Sequence, residues 1–241
     1  MRKIFVLFLM IGAIGVSAQT VTLKDNAKKG DKFKVKSKSL QQSQKMGSMT
    51  MTYDFEKNIT SASETRLKAT SEVDRLIVDI SQGGATYRYD SSIKNPLSQT
   101  GKMLKRQFDP MAKITLTTVT DRLGTLVSFQ TNPPVQNEAL VGFQFGYPKE
   151  PVKVGSTWIA RNQNAVAGTI KITYTVTEIT STTVFADFKG VSSDLQTMTM
   201  SGKVQVDIAT GNVQKVTLKS TINTEIGGKV TGRTTITSTK I

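Results

Sequence analysis

The chain has 241 residues, of which 32 are Lys or Arg and 18 are Asp or Glu; its net charge is +14, and it contains neither His nor Cys. The lack of those two residue types excludes zinc fingers, haem ligation by His or Cys, an imidazole base, a thiol nucleophile and disulfides. The apolar content of 37% is too high for a disordered tail and too low for a polytopic membrane protein, so a soluble folded body is predicted.

The first 18 residues have the pattern of a secretory signal peptide. Arg2 and Lys3 precede thirteen apolar or glycine residues, 4–16, and a small residue, Ala18, ends the segment. Thirteen residues are fewer than the roughly 20 that a membrane-spanning helix needs. We therefore expect residues 1–18 to be removed on export, which leaves a periplasmic or secreted protein without a transmembrane segment.

Lysines crowd the segment that follows. Eight of them lie between Lys24 and Lys45, and Lys34, Lys36 and Lys38 alternate along a predicted strand, which places those three on one face. They form either an anion-binding stripe or a solvated edge strand whose lysines prevent edge-to-edge pairing. We favour the edge strand and disfavour nucleic acid as a partner, because the aromatic and arginine side chains that nucleic-acid surfaces use are missing there.

Most of the remaining chain alternates apolar and polar residues with a period of two. Ile170, Ile172, Tyr174 and Val176 point to one face, while lysine and threonine occupy the other. The frequent β-branched threonines favour strands, and the turns between the alternating runs are too short for helical crossovers. The sequence therefore predicts a mainly β protein, with an antiparallel curved sheet or half-barrel.

Two stretches break the alternation. Within 96–108, Leu97, Leu104 and Phe108 share one face of a predicted amphipathic helix, which Pro110 is expected to end. After Asn132, two prolines and the apolar spacing up to residue 143 predict a second short helix within a linker, 132–153.

Two parts of the chain resemble each other. The run 51–55, Met-Thr-Tyr-Asp-Phe, has the same apolar-Thr-Tyr-x-apolar pattern as the run 172–176, Ile-Thr-Tyr-Thr-Val. We interpret the similarity as a duplication. It predicts a first β-lobe, 19–131, and a second β-lobe, 154–241, on either side of the linker.

Aromatic residues are densest around the linker, at Phe143, Phe145, Tyr147 and Trp158. They either hold the lobes together, which we favour, or line a cleft for an apolar ligand. For the second case, the helix and the linker together supply the predicted apolar wall, while Lys34, Lys36 and Lys38 hold an anionic head group. The wall residues are Leu97, Met103, Leu104, Phe108, Phe143, Phe145 and Trp158.

The run from Pro148 to Trp158 reads Pro-x-x-Pro-Val-x-x-Gly-x-x-Trp. It is similar to a family of exported proteins from Bacteroides-type Gram-negative bacteria, classed as a domain of unknown function, and the resemblance extends from about Lys24 to the C-terminus. The family implies no activity and no site residues. In architecture alone, the predicted fold also resembles periplasmic lipoprotein carriers, whose half-open barrels hold acyl chains beneath a helical lid.

Little in the sequence points to catalysis. Ser91 and Lys94 have the spacing of penicillin-recognising enzymes without the companion motifs, and phosphate-binding glycine loops are missing. We therefore predict an exported, non-enzymatic binding protein that uses no cofactor or metal. Its predicted partner is an apolar or amphiphilic small molecule. The alternatives are a structural or adhesive component that binds an anionic surface polymer through a lysine-rich edge and, third, a hydrolase.

Overall fold

A computed structural model describes residues 19–241 apart from residue 97 and the segments 135–142, 165–167, 193–196 and 225–227. Within these residues it contains twelve strands and one helix, which confirms the predicted mainly β, antiparallel fold. In chain order the elements are β1 (Lys32–Ser43), β2 (Gly47–Ala62), β3 (Arg66–Gln82), β4 (Ala85–Asp90), α1 (Gln99–Ala112), β5 (Thr115–Asp121), β6 (Leu126–Asn132), β7 (Thr157–Asn164), β8 (Gly168–Ile179), β9 (Thr183–Ser192), β10 (Met198–Asp207), β11 (Val213–Thr224) and β12 (Gly228–Lys240).

The strands form one open sheet with the order β6-β5-β3-β2-β1-β12-β11-β10-β9-β8-β7, and β4 pairs with β3 outside this path. The chain starts at the centre, meanders outward to β6, crosses to the opposite edge at β7 and meanders back to β12. The first and last strands pair along their length, from Phe33 with Lys240 to Ser43 with Val230. Each half of the sheet is thus a meander, and the duplication stays a prediction.

The position of β1 overturns the interpretation of Lys34, Lys36 and Lys38 as an edge strand. This strand has β2 on one side and β12 on the other, so its backbone groups are already paired and need no protection. Because β12 is distant from β1 in the sequence, the local sequence of β1 does not indicate this pairing.

The sheet has an inner face that carries the packed apolar residues and an outer face that is polar. Directly paired residues on neighbouring antiparallel strands point to the same side, so the register defines rows across the sheet. One inner row runs from β8 to β3 through Tyr174, Phe188, Gly202, Leu218, Thr234, Ser39, Met51 and Val78. Its two ends are buried, whereas its middle is half-buried.

The sheet curls until its edge hairpin reaches the opposite half. Leu123, in the turn between β5 and β6, packs against the apolar cluster on β8–β10, and its carbonyl accepts a 2.8 Å hydrogen bond from the Tyr147 N–H. The segment 21–31 closes the same end of the sheet, where Val21 pairs with Val152. The Arg122 guanidinium fastens this segment by donating to two of its carbonyls, at 2.7 and 3.1 Å.

Helix α1 differs from its prediction at the C-terminal end. Ser98 caps the N-terminus, since its Oγ accepts a 3.0 Å hydrogen bond from the Gly101 N–H. The prediction that Pro110 ends the helix is wrong, because the helix continues to Ala112. Pro110 lies in the last turn, where its missing N–H removes only one intrahelical hydrogen bond, and Met111 and Ala112 pack on the sheet. The second predicted helix falls on 135–142, outside the described residues.

Candidate ligand-binding face

Six aromatic side chains pack together on the inner face of β7–β9. We call them the aromatic cluster: Phe143, Phe145, Tyr147, Trp158, Tyr174 and Phe188. The Phe145 ring lies 4.8 Å from Tyr147 and 5.0 Å from Tyr174, centroid to centroid, in the edge-to-face geometry that aromatic rings prefer. With exposures of 5% for Phe145 and 0% for Tyr174, the cluster is a packed core and presents little surface to a ligand.

The backbone around Phe145 and Gly146 lies close to the hairpin that joins β5 and β6. Gly124 has a φ of +80°, and a Cβ there would meet the Phe145 carbonyl oxygen at 2.0 Å, so the edge hairpin fits against the segment only with glycine. The Trp158 indole N–H donates to the Gly146 carbonyl at 2.7 Å.

Burial raises the pKa of the Tyr147 hydroxyl well above its ordinary value, so this group stays protonated near neutral pH.

A second group, the helix cluster, lies where α1 packs on the inner face of β3 and β4, and a further buried cluster around Phe33, Ile59 and Leu67 lies on β1–β3. The helix cluster consists of Leu76, Val78, Tyr89, Leu104 and Phe108, and the Phe108 ring lies 5.6 Å from that of Tyr89.

Asp109 ties α1 to the sheet beside the helix cluster. Its carboxylate accepts hydrogen bonds from the Tyr89 hydroxyl at 2.8 Å and from Lys105 Nζ at 3.0 Å. Burial opposes ionisation of Asp109, but these hydrogen bonds outweigh it and lower its pKa.

Polar groups next to β4 have structural partners. Asp90 is 8% exposed and accepts hydrogen bonds from Arg75 at 2.6 and 3.1 Å. The guanidinium holds the pKa of Asp90 well below its usual range. Ser91 Oγ accepts a 2.9 Å bond from the Leu76 N–H, and Lys94 is exposed. Ser91 therefore has a structural role, because its hydroxyl is hydrogen-bonded to the backbone of β3.

The structure divides the predicted apolar wall into two groups. Phe143, Phe145 and Trp158 belong to the aromatic cluster, whereas Leu104 and Phe108 belong to the helix cluster. These two clusters have no residue in common. Met103 is 57% exposed and lines a surface cavity of about 550 Å³ with Arg106 and other polar residues of the helix. Leu97 lies outside the described residues. The ligand role of all seven stays a prediction.

Between the two clusters, the inner face of the central strands carries small or polar side chains that are half-buried or exposed. They form the floor of a proposed groove, which we call the central groove: Ser37, Ser39, Gln41, Ser220, Gly232 and Thr234. One wall consists of the half-buried Met49, Met51 and Tyr53 on β2, which contact the helix cluster. The other consists of the half-buried Leu218 on β11 and Ile236 on β12, which pack against the larger apolar core that includes the aromatic cluster. Three strand spacings separate β2 from β11, or roughly 14 Å.

The floor of the groove consists mainly of residues with short side chains or none. Gly232 faces Ser220, whose Oγ a Cβ would approach to 2.5 Å, and Thr234 Oγ1 donates to Ser39 Oγ at 3.1 Å. Burial raises the pKa of Tyr53, on the β2 wall, to about 12, so its hydroxyl is neutral. Sequence reasoning missed the wall on β2, although Met49, Met51 and Tyr53 alternate there as an inner face should.

The three lysines of β1 point away from the groove. Val35 is buried in the inner face, and the intervening Lys34, Lys36 and Lys38 are exposed on the outer face. The structure therefore places them on the face opposite the aromatic and helix clusters, and their role in binding an anionic head group stays a prediction. Among the described acidic residues, Asp54 lies 3.5 Å from Lys36, and none lies within 4.0 Å of Lys34 or Lys38.

The described part of the chain holds no group of three or more acidic residues, His or Cys that could bind a metal ion. None of its helices has the length and apolar character to cross a bilayer.

Comparisons with known proteins concern the fold. No protein-family model and no curated protein matches the chain. One similar solved structure, described as lipid–protein interactions in lipovitellin, has a TM-score of 0.57 and 11% sequence identity, and the match covers 90% of this chain and 25% of that chain. This chain thus spans about a quarter of that structure's length. The resemblance to the exported family stays a prediction, while the similarity to lipovitellin shows that the chain shares a large open antiparallel sheet with a solved structure.

Proposed function

We propose that the protein is an exported, non-enzymatic carrier that holds one apolar or amphiphilic molecule in the central groove. The observation that carries this proposal is the uncovered strip of the inner face between the aromatic cluster and the helix cluster. Elsewhere the inner face carries buried rings and aliphatic side chains, whereas the short side chains of Ser39 and Thr234 on the central strands are only half-buried.

The chemistry of the groove suits a molecule with an acyl chain and a polar group. Each buried methylene contributes about 0.8 kcal/mol, so six methylenes against the walls supply roughly 5 kcal/mol before the cost of ordering the chain. Met49 and Met51 have flexible, polarisable side chains that adapt to chains of different shape. The hydroxyls of the floor offer hydrogen bonds to an ester or carboxyl group. The similarity to a structure described by its lipid–protein interactions supports the same class of ligand.

Substitution at two adjacent positions of β1 tests the proposal. Ser39→Leu fills the floor of the groove, while Lys38→Leu places the same side chain on the outer face of the same strand. We expect Ser39→Leu to weaken the uptake of a fluorescent fatty acid at least tenfold, or about 1.4 kcal/mol. Lys38→Leu should leave uptake within twofold of the unmodified protein. Equal uptake by both variants, with circular dichroism unchanged, would remove the groove as the binding site.

A further inference from the structure

A band of cations crosses the outer face of the sheet diagonally. The register places Lys215 on β11 and Lys203 on β10 one diagonal step apart, and Lys189 on β9 and Lys171 on β8 continue the same diagonal. Lys171 then pairs directly with Arg161 on β7. Each diagonal step moves one strand across and two residues along, which separates neighbouring Cα atoms by roughly 8 Å. All five side chains are exposed, and we call them the cationic band.

The lysine stripe of β1 extends this band to the centre of the sheet. Lys36 and Lys215 both pair with Thr237, from opposite sides, so they lie two strands apart in one row. The band and the stripe together span seven adjacent strands, or roughly 29 Å across the sheet. Charge that is scattered through the sequence is therefore collected on one surface by the sheet topology.

Few carboxylates neutralise the band. Among the described residues, Lys171, Lys189 and Lys215 have no carboxylate within 4.0 Å. The nearest acidic group, Asp187, lies 3.8 Å from Lys203, and both side chains are at least half exposed, so the contact is weak. The repulsion between these ammonium groups is therefore largely uncompensated within the described protein, and an external anion that binds the band would relieve it.

We propose that the cationic band binds a linear acidic polysaccharide. The band and the stripe run in one direction over roughly 29 Å, a path that an extended polyanion can follow, and the exposed Lys219 and Arg233 lie beside it on the outer face. Between its cations lie hydroxyls, such as Ser201 and Thr173, which can hydrogen-bond to sugar hydroxyls. Among the described residues of β1 and β7–β12, the outer face carries a single aromatic side chain, the half-buried Phe185, whereas surfaces that bind unpaired bases stack successive bases on several aromatic side chains. Because the band lies on the outer face, this interaction is independent of the central groove.

Heparin, a linear sulfated polysaccharide, serves as the probe, with the full exported chain and its binding followed from 50 to 300 mM NaCl. The band variant is Lys171→Gln/Lys189→Gln/Lys215→Gln. The matched control is Lys94→Gln/Lys102→Gln/Lys149→Gln, which removes the same charge from three exposed lysines outside the sheet. Comparison of the two separates the band from the general effect of a basic protein.

We expect the band variant to bind heparin at least tenfold more weakly at 100 mM NaCl and to reduce the slope of log affinity against log salt by about 2, if each lost contact contributes about 0.7. The control should change less than twofold, and fatty-acid uptake should be unaffected in both. Equal losses for band and control variants would overturn the proposal. So would tighter binding to single-stranded DNA or to phosphatidylserine vesicles than to heparin, which would assign the surface to nucleic acid or to a membrane.

Discussion

Truncation of Phe108 tests how α1 is held on the inner face. The side chain is 5% exposed and contacts Tyr89 ring to ring at 5.6 Å. Replacement of a buried Phe by Ala costs about 3–5 kcal/mol, and we expect about 3 for Phe108→Ala because the end of a short helix can settle toward the sheet. Met103, on the same helix, is 57% exposed, so Met103→Ala should change the free energy of unfolding by less than about 0.5 kcal/mol.

Urea unfolding followed by circular dichroism measures both variants. The midpoint should fall for Phe108→Ala with an unchanged denaturant slope, which indicates lost stability and not a change in compactness. Equal losses for the two variants would refute the assignment of the buried helix face. A loss confined to Met103→Ala would show that the opposite face of the helix packs on the sheet.

Three other pairs of measurements probe local contacts. Thermal unfolding should show that Gly124→Ala destabilises more than Gly84→Ala, because both have a φ of +80° but only the first meets a backbone carbonyl; equal losses would contradict that contact. Tyr147→Phe should cost about 1 kcal/mol by leaving a buried carbonyl without its donor, whereas Tyr174→Phe should cost less, since the Tyr174 hydroxyl donates to no acceptor among the described residues and has only the Gly146 N–H near it. Asp90→Asn should lower stability by about 1 kcal/mol after solvent screening of its half-exposed arginine partner. Because folding lowers the pKa of Asp90, this difference should be present at pH 6 and shrink as the pH falls below the ordinary value of 3.8; a gap unchanged down to pH 2 would contradict the ion pair.

Local pattern was enough to predict the strands and their buried faces. Ile170, Ile172, Tyr174 and Val176 alternate in the sequence, and all four are buried on the inner face of β8. Leu104 and Phe108 were likewise identified as one face of a helix, and both are buried. In each case the signal is periodicity within one element, which depends on neighbours along the chain.

Pairing between distant parts of the chain was not predictable in the same way. The interpretation of β1 as an edge strand failed because its second partner is β12, at the other end of the chain. For the same reason the seven residues of the apolar wall were assigned to one site, although the sheet separates Phe145 from Phe108. The proposed central groove depends on small residues on β1 and β12, such as Ser39 and Gly232, which come together only because these two strands lie side by side.

Native mass spectrometry of the protein purified from its own host shows whether the molecule carries a ligand. We expect a fraction of molecules with the added mass of one amphiphile, and loss of that fraction in Ser39→Leu but not in Lys38→Leu. A single ligand-free mass for the unmodified protein, together with no uptake of a fluorescent fatty acid, would contradict the claim that the inner face of this sheet is a binding site.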